Sequence, residues 1–233
     1  MNTQRFTAPL AGAILLACGV AFAAGSIEGT VAFSGTAPKP QKLNRKSDPV
    51  CAKKDFNDES VLLSSNGKAL QNVLVRVKDA PASATTPTED VLVNQKDCMY
   101  RPRVQGAVAG QKIKVQNGDP TLHNVHTYEG TKTLFNQAQP PGSAPIEKPL
   151  PKADDVVKVK CDVHPWMAAF VVLNKNPYFA VTKEDGSFQI KDVPAGTYTI
   201  EAWHEKLGTQ TQKVTVTEGK PAQAKFDFSD KKS

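Results

Sequence analysis

Histidine, cysteine, methionine and tryptophan are all scarce in this chain, at 4, 4, 3 and 2 of 233 residues. Each shortage excludes something. With histidine only at 123, 126, 164 and 204, there is no second histidine cluster for a separate catalytic metal, so no metal-dependent oxidase or other enzyme is expected. Aromatic residues make up 7% and do not interleave with Lys and Arg, so no nucleic-acid partner is expected. Past the N-terminal stretch no apolar run approaches the length of a bilayer span, and no long amphipathic helical repeat is visible. What is present is 15 Gly, 17 Pro and many short runs of alternating Val and Thr, which read as all-β. The net charge of +6 is scattered, as on a solvated basic surface that can steer an acidic partner.

Residues 1–23 read as a secretory signal. Arg5 supplies the basic start, Leu10 to Val20 is apolar but too short to span a bilayer, and Ala21-Phe22-Ala23 fits a small-x-small cleavage rule. A retained anchor fits that length less well. Leu15-Leu16-Ala17-Cys18 offers a second route, lipid attachment at Cys18, but Leu16 fits a lipobox poorly and a cleavage site follows. The expectation is a periplasmic or secreted protein with no integral membrane segment after signal removal.

The few metal-ligand residue types are concentrated. Cys161-Asp162-Val163-His164-Pro165-Trp166-Met167 follows the alternating run Val157-Lys158-Val159-Lys160. On a strand, Val157, Val159 and Cys161 share the apolar face and the lysines face water. His164 and Met167 then come from a tight loop. Soft sulfur with imidazole suits copper, and a site of two His, one Cys and a weak axial Met needs one more His. His123 is the nominee, after the strand Lys112-Ile113-Lys114-Val115-Gln116 and an Asn117-Gly118-Asp119-Pro120 turn. Taken singly, Cys161 reads as an inert thiol or half a disulfide and Met167 as ordinary core. Zinc is the chemical rival, through His123-x-x-His126 with Cys161-x-x-His164. Positions three apart on a strand point to opposite faces, so His126 is expected outside the ligand set. His204 reads as a satisfied surface or interface histidine.

Leu122-His123-Asn124-Val125-His126 paired with the Cys161–Met167 loop resembles the cupredoxins, or blue copper proteins, of the amicyanin and plastocyanin type. The resemblance runs from about Val91 to Leu173. It implies a Greek-key β-sandwich holding one copper through His123, Cys161 and His164, with Met167 axial. It also implies that Asn124 braces the ligand loops near the thiolate. His164 would lie near the surface as the electron exit. Pro165 and Trp166, with Leu122 and Pro120, would form a small apolar docking patch for a redox protein such as a c-type cytochrome or dehydrogenase.

Removing the signal removes Cys18. If copper takes Cys161, Cys51 and Cys98 remain, and in an exported protein the expectation is a Cys51–Cys98 disulfide, the alternative being two buried thiols. The chain-entropy account gives such a loop roughly 4 kcal/mol.

Along the chain, residues 26–84 hold strand-like segments at Ser26–Phe33 and Asn72–Lys78, with a basic, Pro-rich stretch between. Residues 85–174 make up the copper-type region. In 175–229, Asp185-Gly186-Ser187-Phe188 and Val193-Pro194-Ala195-Gly196-Thr197-Tyr198 resemble the carboxypeptidase regulatory-like, transthyretin-like β-sandwich. That resemblance covers only its later strands, and the segments in 26–84 look like its first ones. The fold expected is all-β, a cupredoxin-like sandwich plus a small transthyretin-like one. The function expected is single-electron transfer by an exported blue copper protein; the alternative is copper binding or delivery without electron transfer.

Overall fold

A computed structural model describes residues 24–82, 85–152 and 155–230; the signal and Cys18 lie outside these. The chain is all-β. The strands are β1 (Ala24–Phe33), β2 (Leu74–Val77), β3 (Val91–Lys96), β4 (Met99–Arg101), β5 (Val104–Val108), β6 (Lys112–Asn117), β7 (His123–Glu129) and β8 (Lys132–Gln139). They continue as β9 (Ile146–Pro149), β10 (Val156–Lys160), β11 (Ala168–Asn174), β12 (Phe179–Val181), β13 (Ser187–Pro194), β14 (Gly196–His204), β15 (Gly208–Val216) and β16 (Pro221–Phe228). A 3-10 turn at Cys51–Lys53 is the one helical element among the described residues.

Two sandwiches result. In the first, the sheet β13-β1-β16 faces the sheet β12-β2-β14-β15. Its core includes Ile27, Val31, Val75, Ile190, Ile200, Val216 and Phe226. In the second, β5-β11-β10-β7-β8 faces β4-β3-β6-β9, around Val93, Ile113, Val115, Val125, Val159 and Val171. The alternation read from sequence produces these faces: on β3 every other residue is buried, starting with Val91, because side chains on a pleated strand point to opposite sides.

Sheet pairing ties the chain ends into one unit. β1 lies parallel to β16 and antiparallel to β13, while β12 and β14 flank β2. The second sandwich is therefore inserted between β2 and its neighbour β12. A seam joins the two units. Leu74, Val104, Phe170 and Val172 are buried there, with Phe179, Val181 and Trp203 packed against them. β11 is thus buried on both faces and lacks a polar stripe. One ion pair crosses the seam, Arg103 to Glu205 at 2.5 Å, and Arg76, paired with Glu201 of its own sheet at 2.6 Å, donates across it to Leu173 O at 2.9 Å.

His204 closes β14; of the surface or interface position expected for it the surface one does not hold, while the expected hydrogen-bond satisfaction does. It is buried, and its Nδ1 accepts from the backbone N–H groups of Lys206 and Leu207, both at 3.2 Å. The turn after β14 needs these bonds, so the imidazole stays neutral inside. Burial, aided by the Arg103 cation, pushes its pKa down from 6.5 to about 4. The unfolded chain takes up this proton near 6.5, the folded chain only near 4. Stability present above 6.5 is therefore lost as pH falls towards 4, by about 3 kcal/mol. His204→Gln, which can accept the same bonds without titrating, should lose less stability between pH 7.5 and 4.5 in urea unfolding. An equal loss in both proteins would remove His204 as the cause.

Candidate metal centre

The second sandwich gathers three donor atoms at one pole. His123 opens β7, with His123 and Val125 on the buried face. Val157, Val159 and Cys161 share the buried parity of β10 and its continuation, while Lys158 points out. The loop after Cys161 is closed by Met167 N–H donating to His164 O at 2.9 Å and Cys161 N–H donating to Met167 O at 3.4 Å. That closure turns His164 back towards the thiol. Tyr100 pins the two ligand strands together: its hydroxyl donates to Asn124 O at 2.6 Å and reaches Lys160 O at 3.2 Å.

His123, Cys161 and His164 form a buried group whose ligand atoms lie within 4.8 Å of one another. The two Nδ1 atoms are 2.9 Å apart, and Cys161 Sγ is 3.7 Å from His164 Nδ1. Both Nε2 atoms point away, onto carboxylates. His123 Nε2 meets Asp119 at 3.0 Å and His164 Nε2 meets Asp48 at 3.2 Å. The tautomers that donate to both carboxylates leave two Nδ1 lone pairs facing each other and the sulfur. Lone pairs that close repel unless a cation or a proton sits between them. The donor set therefore fits a metal ion, and imidazoles backed by carboxylates are the ordinary support of one.

The titration directions set the two imidazoles apart. Burial pulls His123 down, but the Asp119 hydrogen bond and Cys161 outweigh it and raise it above 6.5. Burial opposes ionisation of Cys161, yet hydrogen bonds from His123 and the Asn124, His164 and Val163 backbone lower it below its usual value. Burial and repulsion by His123 lower His164. Asp48 reaches about 2: burial acts upward, but bonds from Thr121, Cys51, Val50 and His164 prevail.

The other nominated residues fall as follows. Met167 is fully buried in the same core cluster as Cys161. Asn124 braces the ligand loop: its Oδ1 accepts from Asp162 N–H at 2.6 Å, its Nδ2 donates to Asp162 and Asn136, and its own N–H points at Cys161 Sγ at 3.5 Å. His126 lies on the other face of β7, bonded to Asp162 at 2.9 Å and stacked on Tyr128. Cys51 and Cys98 form a disulfide, and Cys161 is a free, buried cysteine.

Two features of the pole differ from the expectation. His164 is not near the surface: it is 1% exposed. A strap of residues 41–58 covers it, folded on itself through Leu43 N–H to Phe56 O and Asp58 N–H to Gln41 O, both 2.8 Å. Nor does Trp166 stand free for docking. It is half-buried, its Nε1 donates to Cys98 O at 3.0 Å, and Arg45 of the strap lies 5.9 Å from its ring. The exposed apolar side chains at this pole are Leu122, at 44%, and Val163, at 48%, beside exposed Pro120 and Pro165. Asp48 and Asp119 were not singled out from sequence. Asp119 sat inside a turn signal, whereas nothing local marks Asp48.

Known proteins give the following likenesses. The carboxypeptidase regulatory-like domain family matches residues 163–229, which includes β12 to β16 and also β11 of the second sandwich, but neither β1 nor β2. No curated protein matches the chain. Among solved structures, a purple cupredoxin from Nitrosopumilus maritimus is similar at 22% identity, covering 36% of this chain and 100% of that one, with a TM-score of 0.32. Amicyanin from Paracoccus versutus is similar at 19% identity, 43% and 97% coverage, and a TM-score of 0.33. A Cu-containing nitrite reductase from Thermus scotoductus is similar at 14% identity over 41% of this chain and 25% of that one, with a TM-score of 0.30.

Proposed function

We propose that this chain is an exported copper protein that carries single electrons, with one copper that would be held by His123, Cys161, His164 and Met167. One observation carries the reading: two Nδ1 atoms 2.9 Å apart face a buried thiol, and each imidazole is held from behind by a carboxylate. Copper, when bound to such a set, supplies a one-electron couple between Cu(II) and Cu(I). The chain's residues do the rest. Asp119 and Asp48 hold both imidazoles in the Nδ1-acceptor tautomer. Asn124 and Tyr100 fix the spacing of the two ligand strands, so little needs to move when charge changes. The buried surroundings exclude water from the sulfur. A redox protein, such as a c-type cytochrome or dehydrogenase, docks at Leu122, Val163, Pro120 and Pro165. A small apolar patch of this kind suits a brief encounter. The reading includes no enzymatic activity.

The burial of His164 favours a second reading, a protein that holds or delivers copper without carrying electrons. Voltammetry with copper titration separates the two. Electron carriage predicts one Cu(II) per chain, an intense visible band and reversible cycling without copper loss; Met167→Gln should keep the copper and lower the potential, because an oxygen donor favours Cu(II). Tight zinc binding with neither Cu(II) nor Cu(I) bound defeats both readings. Copper bound without reversible cycling leaves only the second.

A further inference from the structure

We propose that Cys51–Cys98 is a thiol–disulfide exchange site whose redox state locks and unlocks the metal centre, with a dithiol as its reductant. The lock rests on the metal-site reading above only for the identity of the metal.

The cystine joins the two segments that orient the two imidazoles. On one side, Asp48 meets His164 and is held by the backbone N–H groups of Val50, at 2.7 Å, and Cys51, at 3.1 Å. On the other, Asp119 meets His123 and is held by the N–H groups of Asp97, at 2.7 Å, and Cys98, at 2.8 Å. Each half-cystine thus fixes the carboxylate that fixes one ligand. Cys51 Sγ itself lies 3.7 Å from His164 Nε2.

Apart from this bond, the strap is weakly seated. Its ladder contacts are internal, as in the Lys42–Asn57 bridge. Among the described residues its other polar and ring ties to the sandwich are Asp48 to Thr121 and His164, Lys54 to Asp97 at 2.6 Å, Arg45 to the Asp97 carbonyl and the Trp166 ring, Arg101 to the Phe56 ring, and Arg101 to Glu59 just past the strap. Arg45 is buried, yet its Nε finds no hydrogen-bond partner among the described residues, so part of the seat is unsatisfied. Both half-cystines are 1% exposed, but Ala52, Lys53 and Lys54 beside Cys51 are exposed. The cystine lies one residue beneath the surface, within reach once the turn frays.

The exchange balances. A thiolate of the dithiol attacks one sulfur, forming a mixed disulfide and releasing the other cysteine as its thiolate. The second thiol of the reductant resolves that intermediate. The dithiol leaves as its own disulfide, and two electrons and two protons pass to Cys51 and Cys98. The freed sulfurs then stand in two further potential ligand groups, Cys51 with Asp48 and His164, and Cys98 with Asp119 and His123. Beside the imidazoles they would offer soft ligands to Cu(I). Oxidised, the strap retains the metal; reduced, it exchanges it.

The first test needs no metal. In apo-protein, alkylation of Cys161 by iodoacetamide is followed by peptide mass in three forms: oxidised, reduced with dithiothreitol, and Cys51→Ser/Cys98→Ser. The rate should rise at least about tenfold in the second and third forms, as for local opening of one segment. Amide exchange in β10 and β11 should stay protected, separating strap release from global unfolding. An unchanged alkylation rate overturns the proposal, as does a cystine that dithiothreitol cannot reduce while the fold is native. If the double variant does not fold, the reduced wild type decides. In the copper-loaded protein, transfer to bathocuproine disulfonate should accelerate by a similar factor in the double variant. Faster alkylation in a protein that binds no copper would leave the lock standing and remove the copper reading.

Discussion

Cys161→Ser is expected to remove the intense visible band of the Cu(II) protein essentially completely, while His126→Ala leaves it unchanged. The band requires a thiolate bonded to Cu(II), and Cys161 is the only free cysteine among the described residues. A serine hydroxyl stays protonated at neutral pH and is a hard donor, so it reproduces neither the charge transfer nor the preference for copper. His126 is the control because it sits close in sequence but on the opposite face of β7, engaged with Asp162, Thr133 and Asn136. A zinc site of one Cys and three His would need His126, so its loss would weaken zinc binding. The two outcomes cannot both occur at one site. A band that survives Cys161→Ser, or disappears with His126→Ala, would show that the donors are not those the pole brings together.

How far the sequence reached depends on how local the determining pattern was. The parity of Val157, Val159 and Cys161 is a property of one strand, and the buried face appears where the pleat puts it. The same holds for His123 and His126, whose divergence follows from three residues of extended chain. The Cys51–Cys98 pairing followed from counting thiols and needed no geometry. The strap was not legible. Residues 41–58 carry no period of 2 or 3.6, so nothing indicated which surface they would cover, and covering is what removed His164 from solvent. Asp48 reaches Thr121 across 73 positions, a contact set by the fold of the whole pole. Trp166 shows the same effect in reverse. Its place in the ligand loop suggested an exposed ring, but its indole N–H found the Cys98 carbonyl, and a satisfied polar tip goes with a half-buried ring.

On the electron-carrier reading proposed above, the covered imidazole would change where electrons leave. With His164 beneath Asp48 and Cys51, a partner docked at Leu122 and Val163 would meet the residues just before each histidine instead of a ring edge. The path would then run through the backbone of the ligand segments, which Tyr100 and Asn124 cross-link.

The carboxylates behind the imidazoles should matter nearly as much as the ligands. Asp48→Ala and Asp119→Ala are each expected to lower copper affinity by about ten- to a hundredfold, the usual effect of losing the partner that orients a metal-bound histidine. Three contributions are lost together: the tautomer is no longer fixed, the imidazole becomes a weaker base, and its Nε2–H is left buried without an acceptor. The two variants should differ in kind. Asp119 also caps the backbone N–H groups of Asp97 and Cys98, so its loss disturbs the sandwich loop itself. Asp48 belongs to the strap, so its loss loosens the cover as well as the ligand. Asp48→Asn separates the seating of the strap from the support of the ring: the amide oxygen still accepts from the Val50 and Cys51 N–H groups, so the strap stays seated, while the amide NH2 faces His164 Nε2, so the acceptor and the charge behind the imidazole are lost together. Competition with a chelator of known affinity, run on all three variants, gives the comparison. If Asp48→Ala and Asp119→Ala both bind copper within about twofold of the wild type, the carboxylates are loop supports and the imidazoles are held by packing alone. If Asp48→Asn loses as much affinity as Asp48→Ala, the charged acceptor that Asp48 presents to Nε2, and not the seating of the strap, is what strengthens His164 as a ligand.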